Sequence, residues 1–183
     1  MRESSKTKKA RDPYFEDVYL SGSVLDIGCG DDLVVPYATP FDIQEGDANR
    51  ILDWLEPESF DTVHSSHCLE HMNDPIEALG DWWELVKPNG YLITVVPDED
   101  LYEQGIWPSR FNGDHKSTFT MKEGESWSPV SYDVLKIHSE LPDSHVVNIC
   151  QQSDGYDFSL PSGVDQTSGD ALAQIQVIVQ KCR

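Results

Sequence analysis

Val24-Leu25-Asp26-Ile27-Gly28-Cys29-Gly30-Asp31-Asp32 sets an apolar run, an acid and two spaced glycines against two further acids. Glycines at the exit of a buried strand let backbone approach a ligand closely and permit positive φ. Ligands of open parallel sheets bind outside the carboxyl ends of the strands, and Gly28 and Gly30 fall at such an end. The acids narrow the choice of ligand. Asp26 lies inside the strand, Asp42 follows the turn, and Asp47 comes next in Gly46-Asp47-Ala48. Carboxylates repel a pyrophosphate. They suit ribose hydroxyls, an adenine amine and positive charge, and S-adenosyl-L-methionine presents all three without a phosphate. Position 33 is Leu, so the third glycine of the dinucleotide fingerprint is missing. A nicotinamide-dependent dehydrogenase is therefore only a third reading.

Two other constellations carry chemistry. His67-Cys68-Leu69-Glu70-His71 fits H-x-x-E-H. On one continuous helix His67 and His71 would share a face and bind zinc, with Glu70 as base. A buried strand runs straight into this motif, and Asn73-Asp74-Pro75 opens a new helix just after it. Zinc hydrolysis is thus an alternative, and the leading expectation is no metal. His67 is placed at the reaction site, His71 in a structural role at the turn, and His64 in packing. His138 and His145 are expected at the surface. The second constellation is Asp98-Glu99-Asp100, Tyr102, Trp107, Arg110, Asn112, Asp114, His115 and Lys116. Its aromatics can shape a pocket, Arg110 or Lys116 can pair with an anionic substrate, and His115 beside Asp114 is the candidate general base.

The elements that must position these groups follow from pattern. Asp12–Leu20 reads as a short helix and Ser23–Ile27 as a buried strand. Pro36 and Pro40 forbid a long helix before Asp42. Phe60–Ser65 is a second buried strand. Asp74-Pro75-Ile76-Glu77 combines a cap, a proline at the first helical position and a glutamate three residues after the cap. Ile76, Leu79, Trp82, Trp83, Leu85 and Val86 then give that helix an apolar face. Lys87-Pro88-Asn89-Gly90 stops it, and Tyr91–Val96 forms a strand ended by Pro97. Asp98–Trp127 is a long, poorly periodic loop of the kind that is usually functional or disordered. Pro129–Glu140 reads as a helix. Val146–Gln151 and Leu172–Lys181 read as closing strands that pair as an antiparallel hairpin at one edge. The fold class is α/β, with a mostly parallel central sheet, flanking helices and an antiparallel edge strand, reduced in the segment after the first strand.

The chain has 183 residues, with 33 acidic against 13 basic side chains and a formal net charge of −20. That length holds one sizeable core. The charge argues against nucleic acid and against anionic membrane surfaces as partners. Arg2, Lys6, Lys8, Lys9 and Arg11 crowd the first eleven positions. Residues 1–11 read as a flexible basic tail, with docking onto the acidic body as the second reading; residues 12–183 read as a single domain. The start lacks the apolar core of a signal peptide. Cys29, Cys68, Cys150 and Cys182 form no C-x-x-C pair, which fits reduced thiols and a cytoplasmic chain.

Most of Val24–Pro97 resembles the class I S-adenosylmethionine-dependent methyltransferases. Val24–Gly30 looks like their first motif, and Gly46-Asp47-Ala48 like the strand-end acid beside adenine. Phe60-Asp61-Thr62-Val63 with Cys68-Leu69-Glu70-His71 is similar to their fourth strand and the turn after it. Lys87-Pro88-Asn89-Gly90-Tyr91-Leu92-Ile93 resembles the helix exit and fifth strand. The resemblance implies methyl transfer to a small-molecule or sugar-containing acceptor. It places Gly28 and Gly30 against the methionine part of the cofactor, and Asp26 in organising that turn or reaching the ammonium through water. Asp42 is assigned to the ribose hydroxyls and Asp47 with Ala48 to adenine. Ser65, Ser66 and His67 line the site after the fourth strand. The chain departs from the family between residues 31 and 46, where a helix and a strand look lost or reduced. That shortening leaves open a protein that binds S-adenosylmethionine or its product without turning it over. The oligomeric state is not legible.

Overall fold

The structure, a computed structural model, describes residues 3–182. Its centre is a six-stranded sheet in the order β2-β1-β3-β4-β8-β7. The strands are β1 Val24–Ile27, β2 Thr39–Phe41, β3 Phe60–Ser66, β4 Val86–Pro97, β7 Ser144–Gln152 and β8 Gln174–Lys181. β2, β1, β3 and β4 run parallel, while β8 is antiparallel to both β4 and β7. From β1 the chain goes outward to β2 and then returns to β3 on the other side. The carboxyl ends of β1 and β3 therefore flank a topological switch point, where such sheets open a crevice.

β1 is buried at all four positions, as a central parallel strand requires. Against one face pack helix α3 (Pro75–Glu84) and the short helix α4 (Val134–Ser139). Asp74 caps α3 by accepting from the Ile76 and Glu77 N–H groups. Trp82 and Trp83 are wholly buried. Their indole N–H groups donate to the Ala48 and Pro142 carbonyls at 3.0 and 2.9 Å, so two large aromatics are buried without an orphaned donor.

The opposite face is covered differently. Helix α2 (Phe15–Tyr19) contributes Phe15, and the irregular stretch after β1 contributes Val34, Val35 and Ala38. Those residues bury apolar surface where a helix would otherwise lie. The helix after the first strand is lost, as the prolines imply, but the following strand survives as the three residues of β2.

Three expectations change. Residues 1–11 were expected to form a flexible tail; Met1 and Arg2 lie outside the described residues, and Glu3–Ala10 forms helix α1 with Ser4 and Thr7 buried. It docks through polar contacts, Lys6 Nζ donating to the Thr167 carbonyl at 2.6 Å and Arg11 Nε to Gln176 at 2.8 Å. The predicted helix over Pro129–Glu140 divides into strand β6 (Ser131–Asp133) and α4, because β6 pairs with β5 (Thr118–Thr120) in a separate two-stranded sheet. His138 is wholly buried rather than exposed, donating from Nδ1 to the Val134 carbonyl and accepting from Thr94 at Nε2.

Candidate active site at the strand ends

The glycine turn takes its shape from sterics on one side and acids on the other. Gly28 has φ +71°, and a Cβ there would lie 2.6 Å from Cys68 Cβ. Gly30 has φ +52°, and a Cβ there would meet nothing within 4 Å. The first position is closed to larger residues by packing, while the second faces open space.

Asp42, at the end of β2, accepts from the Gly30 N–H at 2.7 Å and from the Ile43 N–H at 2.7 Å. The predicted ribose acid thus also holds the turn. Asp26 does not line the cleft. It is buried beneath, accepting from the Val34 N–H at 2.6 Å and from His64 Nδ1 at 2.7 Å. Of the two roles expected for it, its position fits the organising one. Arg11 completes the relay at 3.0 Å from His64 Nε2. Burial lowers the Arg11 pKa to about 10 and the His64 pKa below its usual value.

Two cavities meet at Gly28 and Asp42. The larger, ≈ 630 Å³, is lined by Phe41, Ile43, Trp54, Cys68 and Met72 together with Asp47, Ala48 and Asn49. Asp47 Oδ1 accepts from the Asn49 N–H and side-chain amide at 2.9 and 2.8 Å, which holds its pKa below the usual carboxylate value. Its other oxygen is free of these bonds. The smaller cavity, ≈ 220 Å³, is bounded by Gly28, Gly30, Ser66, His67, Glu70, His71, Tyr102, Asn112 and His115, with Glu3 and Ser4 of α1 closing one side. Ser65 is buried in β3 and lines neither cavity. Tyr102 lines the cleft as the pocket aromatic the sequence suggests, while Trp54 and Met72 line it without any sequence signal, and Glu70 and His71 line it although the sequence marks them only for the zinc alternative and the turn.

The histidines surround one carboxyl group. Glu70 is wholly buried, and neither of its oxygens has a well-formed hydrogen-bond partner among the described residues. Burial pushes its pKa up to about 8; its own backbone N–H opposes the rise, and the charges of Glu103 and Glu3 add to it. His67 Nδ1 stands 3.6 Å from Glu70 Oε1, and His71 Nε2 and His115 Nε2 each stand 3.9 Å from it. The outer ring nitrogens are anchored. His67 Nε2 donates to Gln174 at 2.9 Å and His115 Nδ1 to Glu103 at 2.7 Å. His71 Nδ1 lies 3.1 Å from Asp114 Oδ2. The partner of His115 is therefore Glu103, while the adjacent Asp114 serves His71.

The H-x-x-E-H reading loses its helix. His67 sits at the end of β3 with φ +52°, and only Leu69–His71 forms a 3-10 turn. His67 and His71 do not share a helical face. The long loop is ordered from within: Asp98 caps the turn Glu99–Glu103, and buried Glu99 accepts from the hydroxyls of Thr118, Ser126 and Ser131. Lys116 is tied to the His71 carbonyl and to Asn73, and Arg110 is exposed, so neither lines the cleft.

A family model described as a methyltransferase domain matches residues 5–145. Uncharacterized methyltransferases of Mycobacterium bovis and Mycobacterium tuberculosis are 32% identical to the chain, over 46% of it and 55% of their own length. The chain thus spans about half the length of these curated relatives. A methyltransferase solved with the Haloferax volcanii Trm112 methyltransferase activator is 14% identical, covers 100% of this chain and 90% of its own, and superposes with a TM-score of 0.63. An S-adenosylmethionine-dependent methyltransferase from Archaeoglobus fulgidus is 19% identical over 99% and 95%, with a TM-score of 0.59. At such identities the likeness is one of fold. The family model, however, spans β1 to the start of β7, strand-end crevice included, and on that ground the chain belongs to the methyltransferase domain family.

Proposed function

We propose that the chain transfers a methyl group from S-adenosyl-L-methionine to a small-molecule or sugar-containing acceptor. The observation that carries this reading is the pair of cavities joined at Gly28 and Asp42. The larger one matches a nucleoside in chemistry, offering Trp54, Phe41 and Met72 for a flat base and Asp47 for its exocyclic amine. Among the described residues no Lys or Arg lines either cavity, which suits a sulfonium and disfavours a phosphate.

In this reading Asp47 and Ala48 hold adenine, Asp42 accepts from ribose hydroxyls, and the backbone of Gly28 and Gly30 flanks the methionine part. When bound, the cofactor supplies an electrophilic methyl group on sulfur. The protein's share is alignment and exclusion of water, with α1 and Tyr102 walling the smaller cavity. Where the acceptor is a hydroxyl, His115 takes its proton at Nε2, since Glu103 fixes the other nitrogen as the donor. His67 shapes the same wall. The acceptor lies on the side of the 98–120 loop. We place the protein in the cytoplasm, in keeping with four free cysteines, and no described helix is long and apolar enough to cross a membrane.

The missing helix after β1 favours a second reading, binding without turnover. Calorimetry with S-adenosylmethionine, followed by a screen of methyl acceptors, separates the two. Saturable binding with an acceptor found supports transfer; binding with none found supports the second reading. A chain that ignores the cofactor at millimolar excess refutes both.

A further inference from the structure

Glu70, His71 and His115 each offer one ligand atom, and the three atoms lie within 4.8 Å of one another. The separations of 3.9 Å from Glu70 Oε1 to the two Nε2 atoms are too long for hydrogen bonds. They are close to what an ion between them requires, since a tetrahedron with metal–ligand bonds of about 2.0–2.1 Å separates its corners by roughly 3.3–3.4 Å. A buried carboxyl group without a hydrogen-bond partner among the described residues is costly unless something else satisfies it.

The surroundings are built for ligation. His115 gives its Nδ1 hydrogen to Glu103, and His71 Nδ1 faces Asp114, so both imidazoles turn an Nε2 lone pair inward. Carboxylates behind metal-bound histidines commonly play this part. The backbone reinforces it: the Lys116 and Ser117 N–H groups donate to the Glu70 carbonyl at 2.8 and 3.3 Å, binding the loop that carries His115 to the turn that carries Glu70 and His71.

We propose that Glu70, His71 and His115 form a binding site for a divalent transition-metal ion, of which Zn²⁺ is the type. Two imidazoles and one carboxylate suit such an ion better than Mg²⁺ or Ca²⁺, which prefer all-oxygen shells. Three protein ligands leave a position open, the pattern of reactive rather than structural sites. All three residues line the cavity that also holds Gly28 and Gly30, so the open position faces the proposed acceptor. The consequence, which rests on the methyl-transfer reading, is an acceptor that presents an oxygen atom. The ion would lower the pKa of that oxygen's proton, which would leave to solvent water; the ionised oxygen would then bond the methyl carbon as its bond to sulfur breaks, with His115 Nε2 as ligand in place of base. This differs from the zinc-peptidase pattern, because Glu70 binds the ion and His67 stands outside the set.

The test uses the full, untagged chain stripped with a chelator. Titration with Zn²⁺ by calorimetry and with Co²⁺ by visible absorption is expected to saturate at one ion per chain. Glu70→Gln and His71→Ala are each expected to weaken binding at least about tenfold, and Glu103→Gln about tenfold through His115. His145→Ala, at an exposed position, is the control and leaves binding unchanged. Folding of each variant is checked by circular dichroism; Glu70→Gln keeps the side-chain shape, so a folded variant is expected. No saturable uptake at millimolar ion, or uptake that Glu70→Gln and His71→Ala leave intact, overturns the site. Neither readout involves S-adenosylmethionine, so ion binding without cofactor binding sinks only the methyl-transfer reading.

Discussion

In the proposed reading Asp47 serves structure and ligand at once. Its Oδ1 caps the 3-10 turn Ala48–Asp53 through Asn49, leaving the second oxygen for an adenine amine. Asp47→Ala should therefore weaken S-adenosylmethionine binding about tenfold, or about 1.4 kcal/mol, in a calorimetric titration. The lost cap should cost ~1 kcal/mol and lower Tm by a few degrees. Unchanged affinity would remove its cofactor role. His115→Ala belongs to the same scale but should separate from it in kinetics. Turnover should fall ~100-fold, whether Nε2 acts as base or as ligand, while the cofactor Kd stays within about twofold. Equal turnover in variant and parent would strip His115 of any part in the chemistry. Gly28, Gly30, Asp42 and Asp47 are legible in the sequence because strand exits and turn acids are local signals. The pairing of His115 with Glu103 is not, since it crosses an irregular loop whose geometry no periodicity encodes. Adjacency points instead to Asp114, which the fold delivers to His71.

At the level of elements, what the sequence spells out and what it hides divide by chemistry. The buried strands and α3 announce themselves through apolar runs, a cap and a proline. Helix α1 does not, because its sequence, ESSKTKKA, has no apolar stripe, and polar contacts hold it to the body. The relay that follows it, from half-buried Arg11 to buried His64 and Asp26, is equally silent, since it joins three segments far apart in the chain. That relay ties the amino-terminal segment to the strand behind the glycine turn. Removing one member leaves buried partners uncompensated, a loss that usually outweighs the Coulombic gain of forming the pair. Arg11→Ala should accordingly cost about 2–4 kcal/mol, part of it from the guanidinium stacked 4.3 Å over Phe15. Urea unfolding would measure this as a lowered midpoint at unchanged slope. A midpoint within error of the parent would show that the relay is ornamental to stability.

For the molecule as a whole, the α/β class follows from strands alternating with helices, yet the net charge of −20 says nothing of the fold and much about its response to acid. Titrations of opposite sign compete as pH falls. Protonating surface carboxylates relieves self-repulsion, chiefly near their ordinary pKa values around 4. Buried neutral histidines work the other way and start earlier. His138 is wholly buried and its pKa is lowered from 6.5 to about 4, with desolvation the main cause. The unfolded chain then binds a proton at higher pH than the folded one does. Its contribution is fully present above pH 6.5 and is lost as pH falls towards 4. A shift of that size corresponds to roughly 3 kcal/mol across the window. Glu70, its pKa raised from 4.5 to about 8 by burial, works against this, because the folded chain keeps a proton there that the unfolded chain releases; between pH 7 and 5 it adds stability while His138 removes it, so the His138 share is read from the difference between parent and variant. His138→Gln keeps a donor for Val134 and an acceptor for Thr94 but cannot titrate. The variant should start less stable at pH 7 and lose less on acidification, so that the two stability curves converge by pH 5. Parallel curves would mean that His138 is protonated in the folded state without penalty, and that the acid response of this fold resides elsewhere.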